Sequence, residues 1–308
     1  MGSKFNYDDK SKILNLITNG EKSLIIASSR LQDDKDVVLA AVGIDGYELR
    51  FASERLQGDR DVVMAAVKND GYALIFASKE LRNDENIVTK AVENKASAYI
   101  YASKRLHNNK KLAFLAVHKN GNVLQYVSKR LRDDKEVVIL AVSNYGGGLK
   151  FASDKLRNDY DVVLKAVKNS GWALQYADEQ LKDNKDIVIA AVKQDPVALK
   201  WASPRLKKDK KIVMLATQKY DKAIEYADRK LHTDEDVINA YLSSCYKKGL
   251  DFEVGVISTL KEEYENLLKE QKLIIQKQNK IRLLLIHLDP SYVRKVDEKE
   301  KIKVKKMK

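Results

Sequence analysis

A chain of 308 residues that is 44% apolar and 33% charged has the composition of a folded protein with much solvated surface, which excludes a disordered polymer. Its single cysteine, Cys245, excludes an intrachain disulfide framework, and no apolar run approaches the roughly eighteen residues of a membrane span. The net charge of +13 favours acidic partners, whether nucleic acid, an anionic membrane surface or an acidic protein, without choosing among them.

One pattern returns every 25 residues, and its closing leucines are Leu31, Leu56, Leu81, Leu106, Leu131, Leu156, Leu181, Leu206 and Leu231. A fixed period of this kind predicts a stacked array in place of separate globular domains. Residues 1–33 hold a worn first copy, in which Asp9, Ile13, Leu14 and Ile17 occupy the places of Asp34, Val38, Leu39 and Val42. Polar residues such as Lys12 and Asn15 suit it to cap the end of the array.

Tandem copies follow over residues 34–233. Three residues past each leucine stands Asp34, Asp59, Asp84, Asn109, Asp134, Asp159, Asn184, Asp209 or Asp234. Asp and Asn side chains accept hydrogen bonds from the free N–H groups of a helix start, so these residues are predicted N-caps. The first helix of a copy then shows an apolar face at helical spacing, as in Val62, Val63, Ala66 and Val67. Its alanine recurs as Ala41, Ala66, Ala91, Ala116, Ala141, Ala166, Ala191 and Ala216, and a second small series includes Ala52, Ala77, Ala102 and Ala152. Small residues at fixed places predict close helix crossings. Between the helices, Gly46, Gly71, Gly121, Gly146 and Gly171 are expected to end the first helix in the left-handed conformation, and Pro196 to open the second at its first turn. The second helix carries an aromatic residue at Phe51, Phe76, Tyr101, Tyr126, Phe151, Tyr176, Trp201 and Tyr226. This series is expected to fill the space between stacked copies. The preceding place (Arg50, Ile75, Ile100, Gln125, Lys150, Gln175, Lys200, Glu225) varies most and is expected to face solvent.

A degenerate last repeat is expected over 234–250 and a long amphipathic helix over 251–289. That helix has a heptad seam through Ile257, Leu260, Tyr264, Leu267 and Ile274, and it either covers the array or pairs with a second chain. Asp289-Pro290 stops it, and a basic tail occupies 290–308. The fold class is therefore all-α: a right-handed or superhelical α-solenoid of about nine 25-residue two-helix repeats, followed by a long C-terminal helix.

The segments DDKEVVILAV at 133–142 and GWALQYADEQLKDNKDIVIAAV at 171–192 resemble the helical repeat family known only as domain of unknown function 4116. The resemblance covers about residues 9–245. It implies tandem arrays of the sort found in microbial, protist, large-virus and bacterial effector proteins, without a shared assigned activity, so it carries over no functional residue.

The residues themselves point away from catalysis. His107, His118, His232 and His287 are scattered, and no phosphate-binding loop, metal-ligand spacing or nucleophile motif occurs, so no enzymatic activity, metal or cofactor is expected. The aspartates are accounted for as caps. A candidate binding edge flanks the closing leucines at Arg55, Arg82, Arg105, Arg130, Arg132, Lys155, Arg157, Lys182, Arg205, Lys207 and Lys230. These cations could follow phosphates, or could serve as helix C-terminal charges partly neutralised by nearby caps. The reading adopted is a non-enzymatic scaffold that binds a protein through its extended solenoid surface, with nucleic-acid or other polyanion binding as the alternative. A homo-oligomer through the C-terminal helix is a further expectation. With no apolar leader after Met1, the expected location is the cytoplasm, a host cell's included.

Overall fold

The computed structural model of the protein describes residues 6–247, 266, 269–270 and 272–277. It divides into two units, Met1–Leu231 and His232–Lys308. In the first unit, nine copies begin at Asp9, Asp34, Asp59, Asp84, Asn109, Asp134, Asp159, Asn184 and Asp209, here numbered 1 to 9. No strand occurs among the described residues, and the fold is an all-α repeat array.

Copy 3 shows how a unit is built. Asp59 is extended, and its side chain accepts from the amides of Asp61 and Val62, which starts the helix Arg60–Asn69. Val62, Val63, Ala66 and Val67 are fully buried along one face of that helix. At Asp70 the backbone returns to an extended conformation, and its side chain accepts from Tyr72 N to open the helix Gly71–Phe76. Ala77 is extended again, and Ser78 Oγ then accepts from Leu81 N at 3.4 Å to hold the closing turn.

The expected second helix is therefore two pieces. Its six-residue part is a 3-10 helix in every copy from Gly46–Phe51 to Asp221–Tyr226, and the closing leucine sits on a separate turn. The break falls at the second small series, because Ala52, Ala77 and Ala102 adopt ψ values of 151 to 156° that no helix contains.

The recurrent glycines also act differently from the expectation. None of them has a positive φ; among the described residues that conformation belongs to Gly20. What they supply is closeness. A Cβ on Gly71 would lie 2.3 Å from the Ala91 carbonyl oxygen, and one on Gly121 would lie 2.2 Å from that of Ala141. Each glycine thus lets its 3-10 helix press on the α-helix of the next copy. Where Ala96 and Pro196 replace it, the helices of the flanking copies, Glu85–Asn94 with Lys110–Lys119 and Lys185–Gln194 with Lys210–Lys219, pack less closely than at the glycine seams.

Successive α-helices lie side by side, and so do successive 3-10 helices, which gives a two-layered array with its core between the layers. The alanines Ala41 to Ala216 of the first series are fully buried at these contacts. The aromatic series is only half-buried, from Phe51 to Tyr226, so it borders the core and does not fill it.

In the second unit Asp234 Oδ1 accepts from the amides of Asp236 and Val237, and the helix Glu235–Lys247 follows. Residues 272–277 are helical, with Leu273, Ile274 and Ile275 exposed. The rest of the expected helix over 251–289, and the tail over 290–308, lie outside the described residues.

Candidate functional site

Three sets of side chains and one set of backbone bonds join each copy to the next. The first uses the N-caps. Asp34, Asp59, Asp134, Asn184 and Asp209 each accept from two first-turn amides, whereas Asp84, Asn109 and Asp159 each accept from one. The second oxygen of an Asp cap faces the preceding copy: Lys35 Nζ lies 2.9 Å from Asp59 and 2.8 Å from Asp61, and Lys110 Nζ lies 2.7 Å from both Asp134 and Glu136. Burial pushes the Asp59 carboxyl up, but the Lys35 ammonium and the amides of Val62 and Asp61 outweigh it and hold it below the ordinary range.

A second set comes from the last residue of each α-helix. Asn69 Oδ1 accepts from Gly46 N at 2.9 Å while its Nδ2 donates to the Gly43 and Ile44 carbonyls, and Asn94 repeats this on Gly71, Lys68 and Asn69. Gln194 takes the role toward Gly171. Pro196 has no N–H to offer, and there Lys219, a pure donor, binds the Lys193 and Gln194 carbonyls.

The candidate basic edge supplies the third set and divides in two. Arg55, Arg105, Arg130 and Arg205 are exposed, yet each Nε donates to the side chain of Asp33, Asn83, Asn108 or Asp183 in the preceding copy, and each Nη2 donates to that residue's carbonyl. The partners are thus the residues just before the caps, and not the caps themselves. Lys155 and Lys230 are exposed at the equivalent places. Arg82, Arg132, Arg157, Lys182 and Lys207, on the other side of the leucine, are half-buried. Arg157 pairs with Asp154, Lys182 with Glu179 at 2.7 Å, and Arg132 reaches the Phe151 carbonyl. Burial, with a smaller contribution from Lys200, pushes the Lys207 ammonium down. The eleven cations therefore do not form one continuous exposed row.

A fourth link is backbone alone: Ser53, Ser78, Ser103, Ser128, Ser153 and Ser203 each donate N–H to a carbonyl of the preceding copy at 2.9 to 3.0 Å.

Once these links are set aside, the outer face of the 3-10 helices stands apart. Its second and fifth residues lie three apart and therefore above one another. They are Tyr47 and Arg50, Tyr72 and Ile75, Ser97 and Ile100, Asn122 and Gln125, Gly147 and Lys150, Trp172 and Gln175, Val197 and Lys200, then Lys222 and Glu225. The fifth place is exposed in six of these eight copies and half-buried at Gln125 and Gln175. Rings run from copy to copy, Tyr47 against Phe76 at 5.6 Å and Tyr72 against Tyr101 at 6.4 Å, both edge to face. Arg50 lies over Phe51 at 4.3 Å. A groove of about 270 Å³ opens on this face between Tyr47 and Tyr126. A second hollow, of about 420 Å³, is lined by Asp154, Arg157, Glu179 and Lys182, whose charges are already paired with one another.

The aromatic places and the variable fifth place were visible in the sequence, but the second place, with Tyr47, Tyr72 and Trp172, was not. Its signal would have been the three-residue spacing to the variable place, which a 3.6-residue period does not pick out. Among the described residues no cluster of His, Cys, Asp and Glu could hold a metal ion, and no helix is long and apolar enough to cross a membrane.

A family model described as "Domain of unknown function (DUF4116)" matches residues 9–57, 59–107, 109–147, 134–182 and 184–232. Each full match spans a pair of 25-residue copies, so the unit recognised by the family is a double step of the array. No curated protein and no solved structure matches the chain.

Proposed function

The chain belongs to the DUF4116 family, and on that premise we propose that it is a non-enzymatic scaffold docking a protein partner along the outer face of its 3-10 helices. One observation carries this reading. The charged series elsewhere in the array are largely tied into links between copies, whereas the fifth place of the 3-10 helix changes from Arg to Ile, Gln, Lys and Glu beside a row of half-buried rings. Aromatic rings with a polar tip give a partner apolar area at low entropic cost, and the variable neighbours supply specificity.

The alternative, binding of nucleic acid or another polyanion, draws support from Arg105 and Arg130, whose partners Asn83 and Asn108 carry no charge. Against it, Nε and Nη2 of each of these arginines already donate to the preceding copy, so a phosphate would meet chiefly Nη1 and not the paired Nε and Nη2 donors. Photo-crosslinking residues placed at 75 or 100 of the full chain, with 68 as a control on an α-helix, separate the readings in nuclease-treated extract. The scaffold reading expects protein adducts from 75 and 100 and none from 68. Retention of RNA or DNA that survives moderate salt, with no protein adduct, would favour the polyanion.

A further inference from the structure

The seam between copies 4 and 5 differs from every other. Glu85 stands where seven copies have Lys or Arg, and the facing cap is the uncharged Asn109, so the cation–cap bridge is missing. Ala96 replaces the close-contact glycine, and Lys119 replaces the terminal amide that would accept from its N–H. The helices Glu85–Asn94 and Lys110–Lys119 accordingly pack less closely, as do the 3-10 helices Ala96–Tyr101 and Gly121–Tyr126. The 270 Å³ groove lies across this seam, with Ile100 and Tyr101 from one side and Asn122 and Tyr126 from the other, and with Tyr47 and Tyr72 extending it backwards.

Among the described residues, the hydroxyls of Tyr47, Tyr72, Tyr101 and Tyr126 have no hydrogen-bond partner, although the rings are half-buried. Burial, and then the neighbouring Tyr47, Tyr72 and Tyr126, push the Tyr101 phenol up, so it stays a neutral donor. The groove is thus rich in donors and flat aromatic walls and holds no carboxylate. On the fifth place of the 3-10 helices, Arg50 stands at one end of the uncharged run Ile75, Ile100 and Gln125, and Lys150 at the other.

We infer that this groove is the docking slot for an extended, proline-bearing peptide segment with acidic residues flanking its uncharged middle. Deepening the scaffold reading and resting on it, this assignment follows from complementarity. A polyproline-type strand has carbonyl acceptors without internal partners and few N–H donors, which is what a row of phenol hydroxyls matches. One turn of such a strand rises roughly 9 Å over three residues. Packed helices lie about 8–10 Å apart, so a pyrrolidine ring can meet a tyrosine at each successive copy. Four copy steps separate Arg50 from Lys150, and a strand rising about 3.1 Å per residue covers them in about twelve residues, which places carboxylates of the ligand beside both cations.

The test is calorimetric titration of the full chain with two synthetic peptides of that length, both carrying glutamates at each end, one with a proline middle and one with a Gly-Ser middle. The proline peptide is expected to bind at least tenfold more tightly, and Tyr101→Phe to weaken it about tenfold. That substitution retains the fold, since Phe51, Phe76 and Phe151 occupy the same place in other copies, and an unchanged melting curve checks this. Equal affinity for both peptides, no binding of either, or indifference to Tyr101→Phe overturns the inference. If the peptides fail while photo-crosslinks from positions 75 and 100 persist, only the occupant is wrong; if both fail, the scaffold reading falls as well.

Discussion

The Lys35 ammonium of copy 2 lies 2.9 Å from Asp59 Oδ2, on the same carboxylate whose Oδ1 caps the helix of copy 3. One aspartate therefore starts its own helix and ties that helix to the previous one. The pairing extends along the sequence: wherever the residue after a cap is Lys or Arg (Lys10, Lys35, Arg60, Lys110, Lys135, Lys185, Lys210), the next cap is Asp, and where it is Glu85 or Tyr160 the next cap is Asn109 or Asn184. A capping oxygen is kept throughout, and past the first cap, Asp9, the charge appears only where a cation of the preceding copy awaits it.

Cap and bridge are separable at Asp134. Asp134→Ala removes the cap and its bridge to Lys110 and is expected to cost about 0.5–2 kcal/mol, whereas Lys110→Met keeps the cap and removes the half-exposed pairs with Asp134 and Glu136, each worth about 0–1 kcal/mol. Urea denaturation measures both, and equal losses would assign the stabilisation to the bridge in place of the cap.

The same groups set a pH dependence. The carboxyls of Asp34, Asp59, Asp84, Asp134, Asp159 and Asp209 are held below their ordinary 3.8 in the folded chain. The unfolded chain therefore takes up protons first, and this stabilisation is complete above that value and lost as pH falls below it. The ammonium groups of Lys10, Lys35, Lys110 and Lys135 are held above their ordinary 10.5, so their contribution is complete below that value and lost as pH rises beyond it. Urea midpoints are expected to be level near neutrality and to fall by pH 3; the same midpoint at pH 3 and pH 7 would refute the account.

Gly71→Ala places a Cβ where the Ala91 carbonyl stands and is expected to cost about 1–3 kcal/mol. Ala96→Gly, at the loosened seam, removes only a half-buried methyl group and is expected to cost less, about 0.5–1 kcal/mol. Denaturation midpoints of the two variants compare them directly, and a tolerated Gly71→Ala would show that closeness is not what the glycine provides.

Ala116 is fully buried on the helix Lys110–Lys119. Ala116→Leu is therefore expected to overpack the crossing by about 1–3 kcal/mol, read as a lowered denaturation midpoint, and an unchanged midpoint would contradict the crossing.

Much of this architecture is legible in the sequence because a repeat displays each constraint nine times. The caps and the buried alanines can be seen as columns of one residue type, and the short-range physics of capping and close packing fixes their roles. The 3-10 helices were less legible. Gly71–Phe76 is only six residues, too short for its apolar residues to tell one helical period from the other, and only the extended Ala77 distinguishes them. The glycine columns suggest left-handed turns in the sequence because the competing cause, a carbonyl from the next copy, is a contact between residues twenty apart. The bond from Gly71 N to Asn94 Oδ1 leaves no mark in the sequence for the same reason. Neither residue type reveals an amide link until the copies are stacked. The tyrosine groove depends on a seam being wider than its neighbours, which no single column records.

Residue-resolved amide hydrogen exchange on the full chain tests the central claim most directly, namely that copies are joined in register by repeated links and that the seam between copies 4 and 5 lacks two of them, the cation–cap bridge and the terminal amide. The amides of Gly46, Gly71 and Gly146, held by Asn69, Asn94 and Asn169, are expected to exchange slowly, and that of Ala96 to exchange fast. Equal exchange at Ala96 and Gly71, or fast exchange at all four, would contradict it.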